Sequence, residues 1–165
     1  MTLGELLVDA FDRIREGAQD AVAGLAPDQL AERPSDRANS IGWLVWHLAR
    51  VQDDHVADVA GLEQVWTEQG FEARFGLPFE TADIGYGQTS EQVGQLRATA
   101  GLLASYLTAV HEQTLAYLAT LTPDYWMPST AALVKEAIGN TTATAFDVMA
   151  ACSGPSPSGP PTSAS

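Results

Sequence analysis

The apolar pattern of this chain predicts an all-α fold, a bundle of helices, and three segments carry the prediction. From Leu3 to Leu25, from Ser40 to Ala60 and from Thr89 to Leu121, apolar residues return at intervals of three and four, which keeps them on one helical face. At 165 residues the chain is long enough for one domain with a real core and too short for two.

The first segment sets Leu3, Leu6, Leu7, Ala10, Phe11, Ile14, Ala18, Val22 and Leu25 on one face and ends near Gly24. Pro27 then suits the first position of a short helical turn, and Arg33-Pro34-Ser35-Asp36 connects onward. The second segment opens at Asn39-Ser40, whose side chains accept from the first free backbone N–H groups. Its stripe is Ile41, Leu44, Leu48, Val51, His55, Val59 and Leu62, with His47 on the edge.

From Gly61 to Gln88 the periodicity fades, while Trp66, Phe71, Phe75, Phe79 and Tyr86 concentrate between glycines. Such aromatic density predicts a loop packed on the domain, either walling a pocket or covering the bundle's open side. Thr89-Ser90-Glu91 caps a third helix predicted to continue to Leu121, with His111 on or beside its apolar face. Residues 131–151 have the composition of a fourth helix, interrupted at Gly139-Asn140-Thr141-Thr142, where helix propensity is poor. The predicted organisation is one helical domain over 1–151 and a disordered Ser/Pro/Gly tail over 152–165.

Eight basic against 21 acidic residues give a net charge of −13, which repels phosphate backbones and anionic lipid surfaces. Neither nucleic acid nor membrane is therefore an expected partner. The single cysteine, Cys152, excludes an intramolecular disulfide and a Cys-x-x-Cys pair, and no ordered base stands near it in sequence to make it a nucleophile. Met1-Thr2-Leu3-Gly4-Glu5 shows no basic leader, and no apolar run approaches the roughly 18 residues of a membrane span, so the expected location is cytoplasmic.

Chemistry concentrates on the histidines His47, His55 and His111, all assigned to inward or edge positions. Neutral imidazole is a common ligand for zinc, nickel and iron, and bundles draw such ligands from facing helices. Each histidine also has an ordinary reading, a half-buried ring bonded to a carbonyl or carboxylate. His47 and His55 lie about 80° apart around their helix and make no ligand pair by themselves. Asp54 would reach the second ring nitrogen of His47 only across a bend or a water. A Gly-rich phosphate loop, a Gly-x-Ser-x-Gly elbow and a His-Glu-x-x-His pair are all absent.

Asn39-Ser40-Ile41-Gly42-Trp43-Leu44-Val45-Trp46-His47-Leu48-Ala49-Arg50-Val51-Gln52-Asp53-Asp54-His55, Arg74-Phe75-Gly76-Leu77-Pro78, Gly85-Tyr86-Gly87 and Val110-His111-Glu112-Gln113-Thr114-Leu115 together resemble a known group. They are similar to the DinB/YfiT-like superfamily, in its actinobacterial branch close to the metal-binding domain of mycothiol-dependent maleylpyruvate isomerase. The resemblance covers roughly Leu3 to Leu121. It implies a four-helix bundle with a divalent metal, zinc or nickel, near one end, and His47 matches the family's first ligand. It further implies use of that metal to activate a low-molecular-weight thiol such as mycothiol, for transfer or isomerisation of a small-molecule substrate.

The family's remaining ligands stand on the fourth helix, as a carboxylate or histidine followed four residues later by histidine. This chain has no histidine after His111 and no arginine after Arg97, and from near Asp124-Tyr125-Trp126 it departs from the family pattern. The expected fourth helix is thus atypical, through divergence or a changed reading frame. His111 and His55 are the candidate partners of His47. Two functions stay open: a metal-binding, thiol-dependent transferase or isomerase-like protein, and a metal-free, non-catalytic bundle acting by homodimerisation or small-molecule binding. No catalytic residue is assigned.

Overall fold

A computed structural model describes residues 3–121, and within them every regular element is a helix. The order is α1 (Leu3–Val22), α2 (Pro27–Ala31), α3 (Ile41–Ala60), α4 (Val65–Glu68), α5 (Phe71–Phe75), α6 (Ser90–Val93) and α7 (Ala100–Thr120). The long helices α1, α3 and α7 pack on one another, α2 lies on α3, and α4 and α5 rest against α7. The expected fourth helix and the tail fall outside the described residues. Among the described residues no helix is long and apolar enough to cross a membrane.

α3 occupies the centre. Ser40 caps it by accepting from the Trp43 N–H, and Gly61 closes it in the left-handed conformation. The expected single apolar stripe understates its burial: from Gly42 to Asp53 every residue is buried, whichever way it faces. α1, α2, α4 and α7 all pack on α3. Gly42 permits the approach of α2, because a Cβ there would stand 2.9 Å from the Leu30 carbonyl oxygen. Leu62, at the stripe's predicted end, is 51% exposed.

Polar pairs fix the register between the long helices. Gln52 Nε2 donates to Thr114 Oγ1 at 2.8 Å within the core, and Gln19 Nε2 donates to Thr108 Oγ1 at 2.9 Å nearer the surface. Each bond is worth only about 1 kcal/mol net, but a helix slipped by one turn would leave a buried amide unsatisfied.

The third helix differs from its expected extent. Thr89 caps the single turn α6, the chain leaves helical geometry after Gly94, and Thr99 starts α7 by accepting from the Leu102 N–H. Two capping threonines thus divide a segment that reads as one helix.

The 61–88 segment is packed, as its aromatic content predicts. Trp66, Phe71 and Phe75 are buried with Trp46 and Tyr106, their ring centroids 4.9–6.3 Å apart along the contacts Trp46–Trp66, Trp66–Phe75, Trp66–Tyr106 and Phe71–Tyr106. A carboxylate anchors it. Asp53 of α3 accepts the N–H groups of Val65 and Trp66, the first residues of α4, and the Tyr106 hydroxyl, all at 2.8 Å. Arg50, one turn earlier, lies 3.7 Å from the same carboxylate and donates to Gln64 Oε1 and to the carbonyls of Thr81 and Asp83. Its guanidinium sits over the Trp66 ring, 4.8 Å from the centroid. Both partners are fully buried.

Burial pushes the Asp53 carboxyl above the ordinary carboxylate range, against the pull of the Tyr106 hydroxyl, the two backbone N–H groups and Arg50. Burial, and then the Asp53 charge, push the Tyr106 phenol well up.

Replacing Asp53 by Ala strands the Arg50 charge and two backbone donors in the core. The expected loss of stability is about 3–5 kcal/mol, read from urea unfolding, and it should far exceed that of Asp58→Ala on the exposed face of the same helix.

Candidate functional site

His47 faces the 61–88 segment from the first half of α3, and the ring is 7% exposed. Trp43, one turn before it, stacks on the imidazole with centroids 4.6 Å apart and planes at 26°. Tyr86 meets it edge-on at 5.2 Å and is itself 57% exposed, so one side of the site opens to solvent. Burial, then the Asp54 carboxylate, raise the Tyr86 phenol above its usual range.

His47 Nδ1 lies 2.5 Å from the Ile84 carbonyl oxygen. A carbonyl only accepts, so Nδ1 carries the proton and the lone pair of the neutral ring is on Nε2. The approach depends on the next residue. A Cβ on Gly85 would come within 2.6 Å of His47 Nδ1, and Gly85 has φ +102°, which a side chain rarely tolerates.

The turn that presents Ile84 is held by its own side chains. Asp83 Oδ1 accepts the Gly85 N–H at 2.7 Å, Asp83 Oδ2 accepts from Gln88 Nε2 at 2.7 Å, and Gln88 Oε1 accepts from Trp43 Nε1 at 2.7 Å. The series therefore begins at the turn and ends on the ring that stacks on His47.

The other two histidines engage different neighbours. His55 Nδ1 donates to the Val51 carbonyl of its own helix at 2.8 Å and lies 3.7 Å from Asp54 Oδ2. His111, 5% exposed on α7, places Nε2 3.0 Å from Asp12 Oδ1 of α1, while its Nδ1 finds no hydrogen-bond partner among the described residues. Burial, and then Arg15, lower the affinity of His111 for a second proton, opposed by Asp12 and Glu112. Among the described residues no group of three or more His, Cys, Asp or Glu side chains stands together as a metal-holding set. Asp54 accepts from Gln64 Nε2 at 2.8 Å. An open cleft of about 490 Å³ lies further along α3, lined by Asp54, Asp58, Leu62, Glu63, Thr67 and Thr81 among others, and His47 is not part of its wall.

Sequence reasoning located His47 and missed its supports. Asp83-Ile84-Gly85 carries an Asx-turn signal, a short carboxylate with glycine two residues on, but nothing local shows which ring the turn would meet. Arg50 and Asp53 read as ordinary charges along a helix, since their partners come from segments far away in sequence.

The sequence pattern of the DinB superfamily matches residues 10–152. A solved structure, described as that of a conserved protein from Enterococcus faecalis, superposes with a TM-score of 0.78 over 92% of this chain and 95% of that one, at 22% identity, a likeness of fold. Local similarity also extends to beta-ketoacyl-[acyl-carrier-protein] synthase III. The enzyme of Clostridioides difficile (strain 630) is 45% identical over 71 residues, 42% of this chain and 22% of the enzyme. That of Clostridium novyi (strain NT) is 56% identical over 43 residues, 26% of this chain and 13% of the enzyme. The chain thus spans about a fifth or less of these curated relatives.

Gly85→Ala tests the close approach. The new methyl group has to displace either the turn or the His47 ring, so the expected outcome is a loss of more than about 1 kcal/mol in thermal unfolding. A changed near-ultraviolet circular dichroism signal from Trp43 should accompany it, whereas Gly17→Ala, with open space around its Cβ and helical backbone, should leave that signal unchanged.

Proposed function

The chain belongs to the DinB superfamily, and on that premise we propose that it binds a divalent metal, zinc or nickel, through His47 and serves as a mycothiol-type, thiol-dependent transferase or isomerase-like protein. The observation that carries the reading is the His47 ring: buried, stacked on Trp43, and bonded through Nδ1 to a backbone carbonyl, which leaves Nε2 as the ligating nitrogen. Metal-bound histidines are held in this way, because a fixed tautomer and a fixed ring plane lower the cost of binding.

The donor set limits the fit. His47 suits a metal, but the described residues form no complete set of three His, Cys, Asp or Glu donors, so no reaction step is assigned through the metal. Bound there, a divalent cation would hold a thiol as its thiolate at neutral pH. The protein's own contribution is positional: Trp43 and the 84–86 turn fix the imidazole, and exposed Tyr86 borders the side from which a small molecule would enter.

A second reading has a specific observation in its favour. No histidine follows His111 in the sequence. On that reading the bundle is metal-free and acts by homodimerisation or by binding a small molecule.

Elemental analysis of untagged protein, with a zinc or nickel titration, separates the two. The proposal expects about one metal per chain that is lost in His47→Ala while helicity is retained. Metal-free protein that stays folded and takes up neither ion leaves the second reading standing.

A further inference from the structure

We propose that Asp83 is a positioning residue for His47, acting through the single peptide unit that joins Ile84 to Gly85. The proposal rests on the reading of His47 as a ligand. The N–H of that unit, on Gly85, donates to Asp83 Oδ1, and its carbonyl, on Ile84, accepts from His47 Nδ1. No cis peptide bond occurs among the described residues, so the N–H and C=O of this unit point in opposite directions, one toward the carboxylate and the other toward the ring.

A negative charge at the N–H end polarises the amide and places more negative charge on its oxygen, which strengthens the bond accepted from Nδ1–H. The imidazole is thereby held with its proton on Nδ1 and its lone pair on Nε2. The same polarisation makes Nε2 a stronger donor to a cation. A carboxylate bonded directly to a metal-bound histidine has this effect, and here a peptide group is interposed.

The second carboxylate oxygen secures the geometry. Asp83 Oδ2 accepts from Gln88 Nε2, and Gln88 Oε1 accepts from Trp43 Nε1, so the turn is tied back to the helix that carries His47. This arrangement explains why aspartate, and not asparagine, suits the position. An asparagine could still accept from Gly85, but its NH2 group would face Gln88 Nε2. Turning the Gln88 amide over would then set its NH2 group against the Trp43 N–H.

The test reads the tautomer directly. Uniformly 15N-labelled protein, stripped of metal and held at about pH 8, above the usual histidine range, gives the proton position from long-range 1H–15N correlations. A His47→Gln spectrum assigns the signal. The expected result is an Nδ1–H ring in the wild type and a shift of population toward the Nε2–H form in Asp83→Ala, with far-ultraviolet circular dichroism unchanged. Asp83→Asn is expected to move the same way by less, and it carries the test should the alanine variant fail to fold. A wild-type ring protonated on Nε2, or variants whose His47 signals match the wild type, would overturn the proposal. A side chain that merely stabilised the loop would lower the melting temperature without moving the tautomer. Metal content does not enter this readout: a metal-free protein overturns His47 as a ligand, while a tautomer shift in the same protein still supports Asp83 as the group that sets the ring.

Discussion

The Asp53 carboxylate is the constraint on which the rest of the site depends. It sits inside the bundle and receives the start of α4 and the Tyr106 hydroxyl of α7, with the Arg50 guanidinium beside it. A buried carboxylate is costly unless its oxygens are fully bonded, and here both oxygens are engaged by groups that arrive only when the 61–88 segment and α7 are in place. That condition makes folding of the segment and folding of the bundle one event. Arg50 extends the same logic to the carbonyls of Thr81 and Asp83, so it holds the turn that reaches His47.

The site is therefore built in layers. α3 supplies His47 and Trp43, the Asp53–Arg50 pair sets the segment against α3, and the Asp83 turn presents one carbonyl to one ring nitrogen. Glycine at 85 is what allows the last approach, since any side chain would occupy the space of the imidazole. Each layer uses backbone groups as partners, which gives a loop the fixed geometry usually found within regular elements.

Much of the fold was legible in the sequence because it is written locally. Periodicity and capping residues located α1, α2 and α3 to within a few residues, and the aromatic run from Trp66 to Tyr86 announced a packed segment. The break between α6 and α7 was not legible, because apolar spacing continues through Leu96 while Gly94 and Thr99 decide the geometry. The burial of α3 on all sides was also hidden, although the dense run Trp43-Leu44-Val45-Trp46 hints at it. His47 stood out through its place in a motif. Arg50, Asp53 and Gln88 did not, since their roles come from pairings across 12 to 56 positions that no local pattern encodes, as in Asp53 with Val65 and Arg50 with Tyr106, and the local turn signal at Asp83 does not show which ring the turn meets.

The most direct test of this account is native-state amide hydrogen exchange at Val65, Trp66 and Gly85, the three N–H groups bonded to the carboxylates of Asp53 and Asp83. If those carboxylates hold the segment as part of the core, the Val65 and Trp66 amides exchange as slowly as those in the middle of α3, and Gly85 is protected well beyond its exposed neighbour Tyr86. Exchange of all three at the rate of a freely opening loop would contradict the account.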